Sequence, residues 1–303
     1  MKFEITILGS SSATPIFNRN PSAQLLNINE KFFLVDCGEG TQHQMLRYGI
    51  KAQRIDDIFI SHLHGDHYLG LTGLLSSLHL NGRTKAMNIY APAALQEILE
   101  VNFKHSQTDL RYPINFYPTD PERSKTIFEN YDVVVSTIPL AHRIPCTGFK
   151  FAGKKRLPKM IREKVDELGI PVEQISLIKK GFPFTDHTGR VHGASELTIE
   201  ADKPKSYAYC SDTICNWNYI DLIDQVDVLY HEATFMHDMV DRATETFHTT
   251  SLQAAEVAIK ANVERLLVGH FSARYRDLEP LLAEAKGIFS NTFLATEGTV
   301  FRL

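Results

Sequence analysis

The run His62-Leu63-His64-Gly65-Asp66-His67 constrains this chain more than any other feature, because it puts four metal-ligand side chains within six residues. It follows directly on the strand-like run 57–60 and precedes an apolar helical stretch. In extended chain, residues two apart project to the same side, so His62 and His64 can approach one metal together. Asp66 and His67 follow where the chain turns into the helix; adjacent residues there point differently, which suits a second metal beside the first. Imidazole and carboxylate ligands without thiolate fit zinc, with manganese and iron also compatible. One histidine among thirteen is ordinarily a core or surface residue, whereas three with an aspartate in a single turn form a metal-binding signature.

Two adjacent metals need more ligands than this segment offers, so others must come from distant parts of the chain. His142 follows the apolar run VVVSTIPL, Asp212 closes SYAYCSD, and His270 closes RLLVGH. Taken alone, each reads as a surface or capping residue. Their common position at the end of a strand-like run is what makes them ligand candidates.

The remainder of the chain supports such an arrangement. Short β-rich runs (FEITILGS, SAQLLNI, FFLVDCG, DDIFISH, MNIYAP) alternate with helical spacing at about 41–48, 67–80 and 93–102. Strands near 131–138, 205–210, 226–230 and 265–268, with helices near 251–261 and 278–287, repeat that style in the second half. Mixed strands and helices throughout indicate an α/β or α+β class. With 303 residues, 43% of them hydrophobic, the chain can bury a large core. No run approaches the roughly 18–20 apolar residues that span a bilayer, and MKFEITILGS is a strand pattern carrying an acid, unlike a signal peptide. Four scattered cysteines without a CxxC pair give no disulfide framework, so a cytoplasmic location with free thiols is expected.

Net charge is −4, which by itself argues against a protein that wraps nucleic acid. Its distribution argues otherwise. Residues 150–190 hold ten Lys/Arg against five Asp/Glu, a local excess of five positive charges that leaves −9 for the rest. The stretch from about 153 to 192 is also punctuated by Pro and Gly, with one amphipathic helix expected at 158–168. It reads as an insertion that leaves the core and returns, or as a solvated surface excursion.

The motifs VDCGEGTQ, ISHLHGDH, AHRIPCTGF, CSDT, HEAT, FHTT and GHFSARY, in this order, resemble those of the ribonuclease Z family of tRNA 3′-processing endonucleases, within the metallo-β-lactamase superfamily. The resemblance covers nearly the whole chain. It implies one domain over 1–303, a four-layer αββα sandwich with the site at one edge of two sheets, and an inserted basic tRNA-binding arm at about 153–193. It implies two zinc ions per chain, one on His62, His64, His142 and Asp212, the other on Asp66, His67, Asp212 and His270, with Asp212 bridging. Asp66 would orient or deprotonate the attacking water, and His248, held by Glu232, would protonate the departing oxygen. His231 and Asp36 are expected to support the site without touching metal.

Lys154, Lys155, Arg156, Lys179 and Lys180 are the arm residues expected to contact precursor tRNA phosphates, and a homodimer is implied. The chain departs from the family in two places. Glu173-Gln174 stands where the arm often has Gly-Pro, and Phe17 stands where a loop that senses the RNA 3′ region often has lysine. The treatment of CCA-containing transcripts therefore does not carry over. Two other readings compete: a small-molecule phosphodiesterase of the same superfamily, which would gain nothing from a basic insertion, and a binding protein that has lost activity, which would not need every ligand and relay position filled.

Overall fold

The computed structural model describes residues 2–16 and 18–303; Phe17 lies outside the described residues. Two seven-stranded sheets form the larger of two compact units, which comprises Lys2–Ala152 and Lys205–Leu303. In the N-terminal sheet the order is Val300–Arg302, Phe3–Gly9, Ala23–Ile28, Lys31–Val35, Ile55–Phe59, Met87–Ala91, Ile114–Pro118. Its first three pairings are antiparallel and its last three parallel. The C-terminal sheet runs Thr292–Leu294, Arg265–Gly269, Val228–Glu232, Ser206–Cys210, Cys146–Gly153, Val133–Leu140, Thr126–Glu129, and its first three pairings are parallel.

Parallel neighbours need crossover connections, and helices supply them. Gly65–Leu80 and Ala94–His105 serve the N-terminal sheet, and Ser251–Lys260 and Glu279–Ile288 serve the other. These are the helices expected from apolar spacing, with ends moved by one to three residues. Each sheet is covered on both faces, so its strands carry apolar residues at nearly every position. On the N-terminal sheet, Leu34, Ile58 and Ile89 pack with helical Leu71, Leu74, Leu75, Leu95 and Leu99. The alternate residues Phe33 and Phe59 turn the other way and meet Phe149 and Phe151 of the second sheet, with ring centroids 5.3–5.7 Å apart. Ala254, Ala255, Ala258, Leu281 and Ala285 cover the far face of that sheet. The layers are therefore helix, sheet, sheet, helix, as the family resemblance implied.

Gly153–Pro204 forms the second compact unit. Its small core joins Ile170, Ile178, Phe184 and Leu197. The single helix expected at 158–168 is shorter, Arg162–Glu167, because Lys159–Met160 instead pairs antiparallel with Thr198–Ile199. A second helix, Val172–Lys179, was not foreseen. Pro171, read as a breaker, sits just before its first residue, where a missing N–H costs nothing.

Candidate dinuclear metal centre and active site

The candidate ligands all lie just past the ends of strands, where parallel sheets present loops together. Asp36 follows Lys31–Val35, residues 61–67 follow Ile55–Phe59, His142 follows Val133–Leu140, Asp212 follows Ser206–Cys210, and His270 follows Arg265–Gly269. Asp36, Asp212 and His270 have φ of 55°, 57° and 57°. Side-chain-bearing residues seldom adopt this left-handed backbone, which aims these three side chains back across the sheet ends and is tolerated where a site requires it.

The histidine loop is held from beneath. Buried Asp36 accepts from Ser61 N at 2.8 Å through Oδ1, and through Oδ2 from Ser61 Oγ at 2.9 Å, His67 Nδ1 at 2.7 Å and Tyr209 Oη at 2.6 Å. The helix beginning at Gly65 lies directly on the turn after Asp36: Gly70 N donates to Cys37 O at 2.9 Å, and a Cβ on Gly70 would sit 2.2 Å from Gly38 O. Glycine is required there. Asp66 falls in the first helical turn, where the helix dipole favours a carboxylate, and accepts from Ala13 N at 2.7 Å.

Above this support, ligand atoms converge in two groups that share Asp212. His62 Nε2 and His142 Nε2 each lie 3.1 Å from His64 Nδ1, and 3.5 and 3.6 Å from Asp212 Oδ2. His67 Nε2 and His270 Nε2 lie 3.3 Å apart, and 3.2 and 3.1 Å from the other oxygen, Asp212 Oδ1. Asp66 Oδ2 completes the second group, 3.5 Å from His67 Nε2 and 3.3 Å from His270 Nε2. All seven residues expected as ligands are brought together, and the two oxygens of Asp212 face different groups.

The donor set fits two cations. A tetrahedral site with metal–ligand bonds of about 2.0–2.1 Å has ligand–ligand edges of about 3.3 Å, the spacing seen in both groups. The second ring nitrogens fix the tautomers. His142 Nδ1 donates to Phe247 O at 3.0 Å, His67 Nδ1 to Asp36, His62 Nδ1 to Ser61 Oγ at 3.0 Å, and His270 Nδ1 to Thr234 Oγ1 at 2.9 Å. Each Nε2 therefore turns an unprotonated lone pair inward, an arrangement that repels itself unless a positive charge stands between. Electrostatics agree. Burial disfavours charge on His67, yet Asp212, Asp66 and Asp36 outweigh it and hold its pKa well above the ordinary imidazole value, so a proton is drawn to a place a cation can take.

Beside the two groups, His248 Nδ1 contacts both oxygens of fully buried Glu232, at 3.1 and 3.0 Å. Burial lowers the His248 pKa, but the charge and hydrogen bond of Glu232 more than offset it and lift the imidazole to about 9. The His248 ring lies 5.3 Å from that of His142 and 5.4 Å from that of His270. His231 points elsewhere, its Nε2 accepting from Tyr219 Oη at 2.7 Å. A cavity of about 450 Å³ fronts the centre, walled also by Arg143, Arg242 and Phe235.

Sequence reasoning missed three contributors: Arg143, Arg242 and Thr234. The Thr234 hydroxyl donates to Glu232 Oε2 at 2.5 Å while accepting from His270 Nδ1, which joins the His248–Glu232 pair to His270. Only its place in HEAT, two residues after Glu232, could have pointed to it. In the other compact unit, Lys155, Arg156, Lys179 and Lys180 line one cavity of about 400 Å³, so two basic runs distant in sequence come together; Lys154 adjoins Lys155 in the chain.

A family model described as "Anti-Pycsar protein Apyc1" matches residues 3–157. A ribonuclease Z of Bacteroides fragilis is 43% identical over 302 residues, covering 100% of this chain and 99% of that protein, and one of Cytophaga hutchinsonii is 46% identical over 99% and 96%. Among solved structures, the short form of human tRNase Z superposes with a TM-score of 0.71 at 27% identity, covering 98% of both chains. The metallo-β-lactamase fold protein YhfI of Bacillus subtilis gives the same TM-score at 19% identity over the full length of both, a likeness of fold alone. The family model ends as the basic unit begins, whereas the ribonuclease Z relatives match from end to end. On these matches, and with the metallo-β-lactamase fold and the seven converging ligand side chains in place, the chain belongs to the ribonuclease Z family.

Proposed function

We propose that this protein is an endoribonuclease that removes the 3′ trailer from precursor tRNA, leaving a 3′-hydroxyl on the tRNA and a 5′-phosphate on the trailer. The observation that carries the mechanism is the His248–Glu232 pair standing beside two ligand groups that share Asp212. His62, His64, His142 and Asp212 would hold one zinc ion, and Asp66, His67, Asp212 and His270 the other. Held there, such cations would supply a nucleophile from water at neutral pH and would offset charge developing on the phosphoryl oxygens.

The chain's own residues do the rest. Asp66 Oδ2 faces the second group and can take or orient the proton of the attacking water. His248, protonated at neutral pH because Glu232 lifts its pKa, gives its proton to the departing 3′-oxygen. Glu232 keeps the imidazole in place and is itself held by Thr213 N at 2.6 Å and by Thr234. Arg143 and Arg242 add positive charge to the wall where phosphates enter.

We read the catalytic fold as one domain with an inserted arm at about 153–193, in which Lys154, Lys155, Arg156, Lys179 and Lys180 grip tRNA phosphates. The four that line a common cavity favour this reading. A cytoplasmic homodimer completes it; no described helix is long and apolar enough to cross a membrane, and sedimentation would test the dimer. A phosphodiesterase acting on small substrates is the second reading, since the match to the anti-Pycsar family model, over residues 3–157, leaves out nearly all of the basic unit. Incubation with a 3′-extended precursor tRNA and mapping of the cut decides between them. Hydrolysis of a chromogenic diester without cleavage of precursor tRNA would overturn the nuclease reading.

A further inference from the structure

A second cavity, of about 650 Å³, lies beside the centre and plays no part in the chemistry described so far. Its walls come from four segments that follow strands of the two sheets, with Leu63, Pro92, Pro121, Ile144 and Pro145 among the apolar residues that line it. No lysine, arginine, aspartate or glutamate lines it, so an uncharged occupant suits it better than a phosphate. His64 lines both this cavity and the one fronting the ligand groups, so whatever fills it is next to the reacting phosphodiester. From this we propose that the cavity is the subsite for the base of the first trailer nucleotide, the one that keeps its bond to the phosphate. The proposal rests on the nuclease reading with His248 as proton donor.

Three physical arguments support that occupant. A base is uncharged and has two flat apolar faces, which aliphatic and proline surfaces can cover. Three of the walls are prolines, whose fixed φ means that little freedom is lost when the site fills. Orientation follows from the proton donor. The oxygen that leaves must lie near His248, so the mature tRNA end occupies that side. His64 and His248 both neighbour His142, whose ring lies 4.9 and 5.3 Å from theirs, and of these two only His64 lines this cavity. The nucleoside on the unbroken side of the phosphate therefore faces His64 and its cavity. Polar groups there are few, and Thr147 Oγ1 already donates to Ser61 O at 3.4 Å, so the site takes any base with little discrimination.

The test uses precursor tRNAs carrying an abasic residue either at the first trailer nucleotide or at the last retained nucleotide, with a chromogenic diester as control. For the wild-type enzyme, loss of the first trailer base should lower kcat/KM about fivefold, the low end of what stacking of one base on an aromatic ring contributes, because no Phe, Tyr or Trp lines the cavity. All four natural bases there should differ by less than about threefold. Ala94→Phe, which fills the cavity from the exposed start of the Ala94–His105 helix, should lower kcat/KM on intact precursor by a similar factor and abolish the abasic penalty, while leaving the chromogenic diester and the melting temperature unchanged. Equal cleavage of intact and abasic-trailer precursors, or a penalty confined to the last retained base, overturns the subsite. Failure of any precursor to be cut while the diester is hydrolysed overturns the nuclease reading, and the subsite with it.

Discussion

Asp36→Asn should weaken metal binding at the His67 side of the centre although Asp36 is not among the expected ligands. Its Oδ2 accepts from three donors, Ser61 Oγ, His67 Nδ1 and Tyr209 Oη, and its Oδ1 from one, Ser61 N. If the asparagine amide nitrogen replaces Oδ2, all three lose their acceptor. The cheaper solution turns the amide over, so that only Ser61 N is orphaned, at about 1–3 kcal/mol for one buried donor. In either orientation the negative charge that fixes His67 with Nδ1 protonated is gone. The proton is then freer to move to Nε2, the lone pair that faces the second group.

Loss of an orienting partner of this kind costs about 10–100-fold in metal affinity, or about 1.4–2.7 kcal/mol. Competition titration of metal-free protein against a chromophoric chelator should show one of two sites weakened by that factor and the other changed much less, because His62, His64 and His142 do not touch Asp36. Tyr209→Phe, which removes one of the four donors, should show a smaller loss at the same site. Unchanged affinity at both sites in Asp36→Asn would refute the argument that the Asp36–His67 hydrogen bond sets the ligand tautomer.

Asp212→Ala should lose metal and activity together, because it removes the carboxylate shared by both groups; two metals per chain by elemental analysis with near-normal cleavage would disprove the sharing. His248→Ala should keep both metals and cleave RNA about 10²–10⁴-fold more slowly, with a much smaller loss on a nitrophenyl diester whose leaving group needs no proton. Because Glu232 raises the His248 pKa to about 9, cleavage of RNA should hold through neutral pH and fall as pH rises past that value; Glu232→Gln removes the charge responsible and should move that fall to lower pH, and an unmoved pH profile would count against the pair. Neutralising Lys154, Lys155 and Arg156 together should weaken precursor-tRNA binding and flatten its dependence on salt, by about one unit of slope for each phosphate no longer neutralised, while sparing the small diester; an unchanged slope would place the grip elsewhere.

The ligands were legible in the sequence because they obey local rules. A strand followed by a helix gives the turn that carries His62, His64, Asp66 and His67, and polar residues after apolar runs mark where strands end, which is where His142, Asp212 and His270 stand. The alternation of elements gave the mixed α/β class, and the layer order came from the family resemblance. Other features had no local sign. Asp36 was expected to support the site, but its partners Ser61, His67 and Tyr209 lie 25, 31 and 173 positions away, so which atoms it holds is decided by the packing of two sheets. Gly70 is one glycine among seventeen until the carbonyl of Gly38 is seen against it.

Thr234, Arg143 and Arg242 look like ordinary polar surface in the chain, and the helix after Pro171 was hidden by a residue that starts helices as readily as it breaks them. The cavity beside His64 is drawn from four separate segments and has no motif of its own. Residue type and spacing fix which chemistry a chain can perform, since ligand atoms and apolar periodicity are properties of short segments. Burial, tautomer, backbone strain and the shape of a pocket are properties of surfaces brought together from across the chain, and only the tertiary structure decides them.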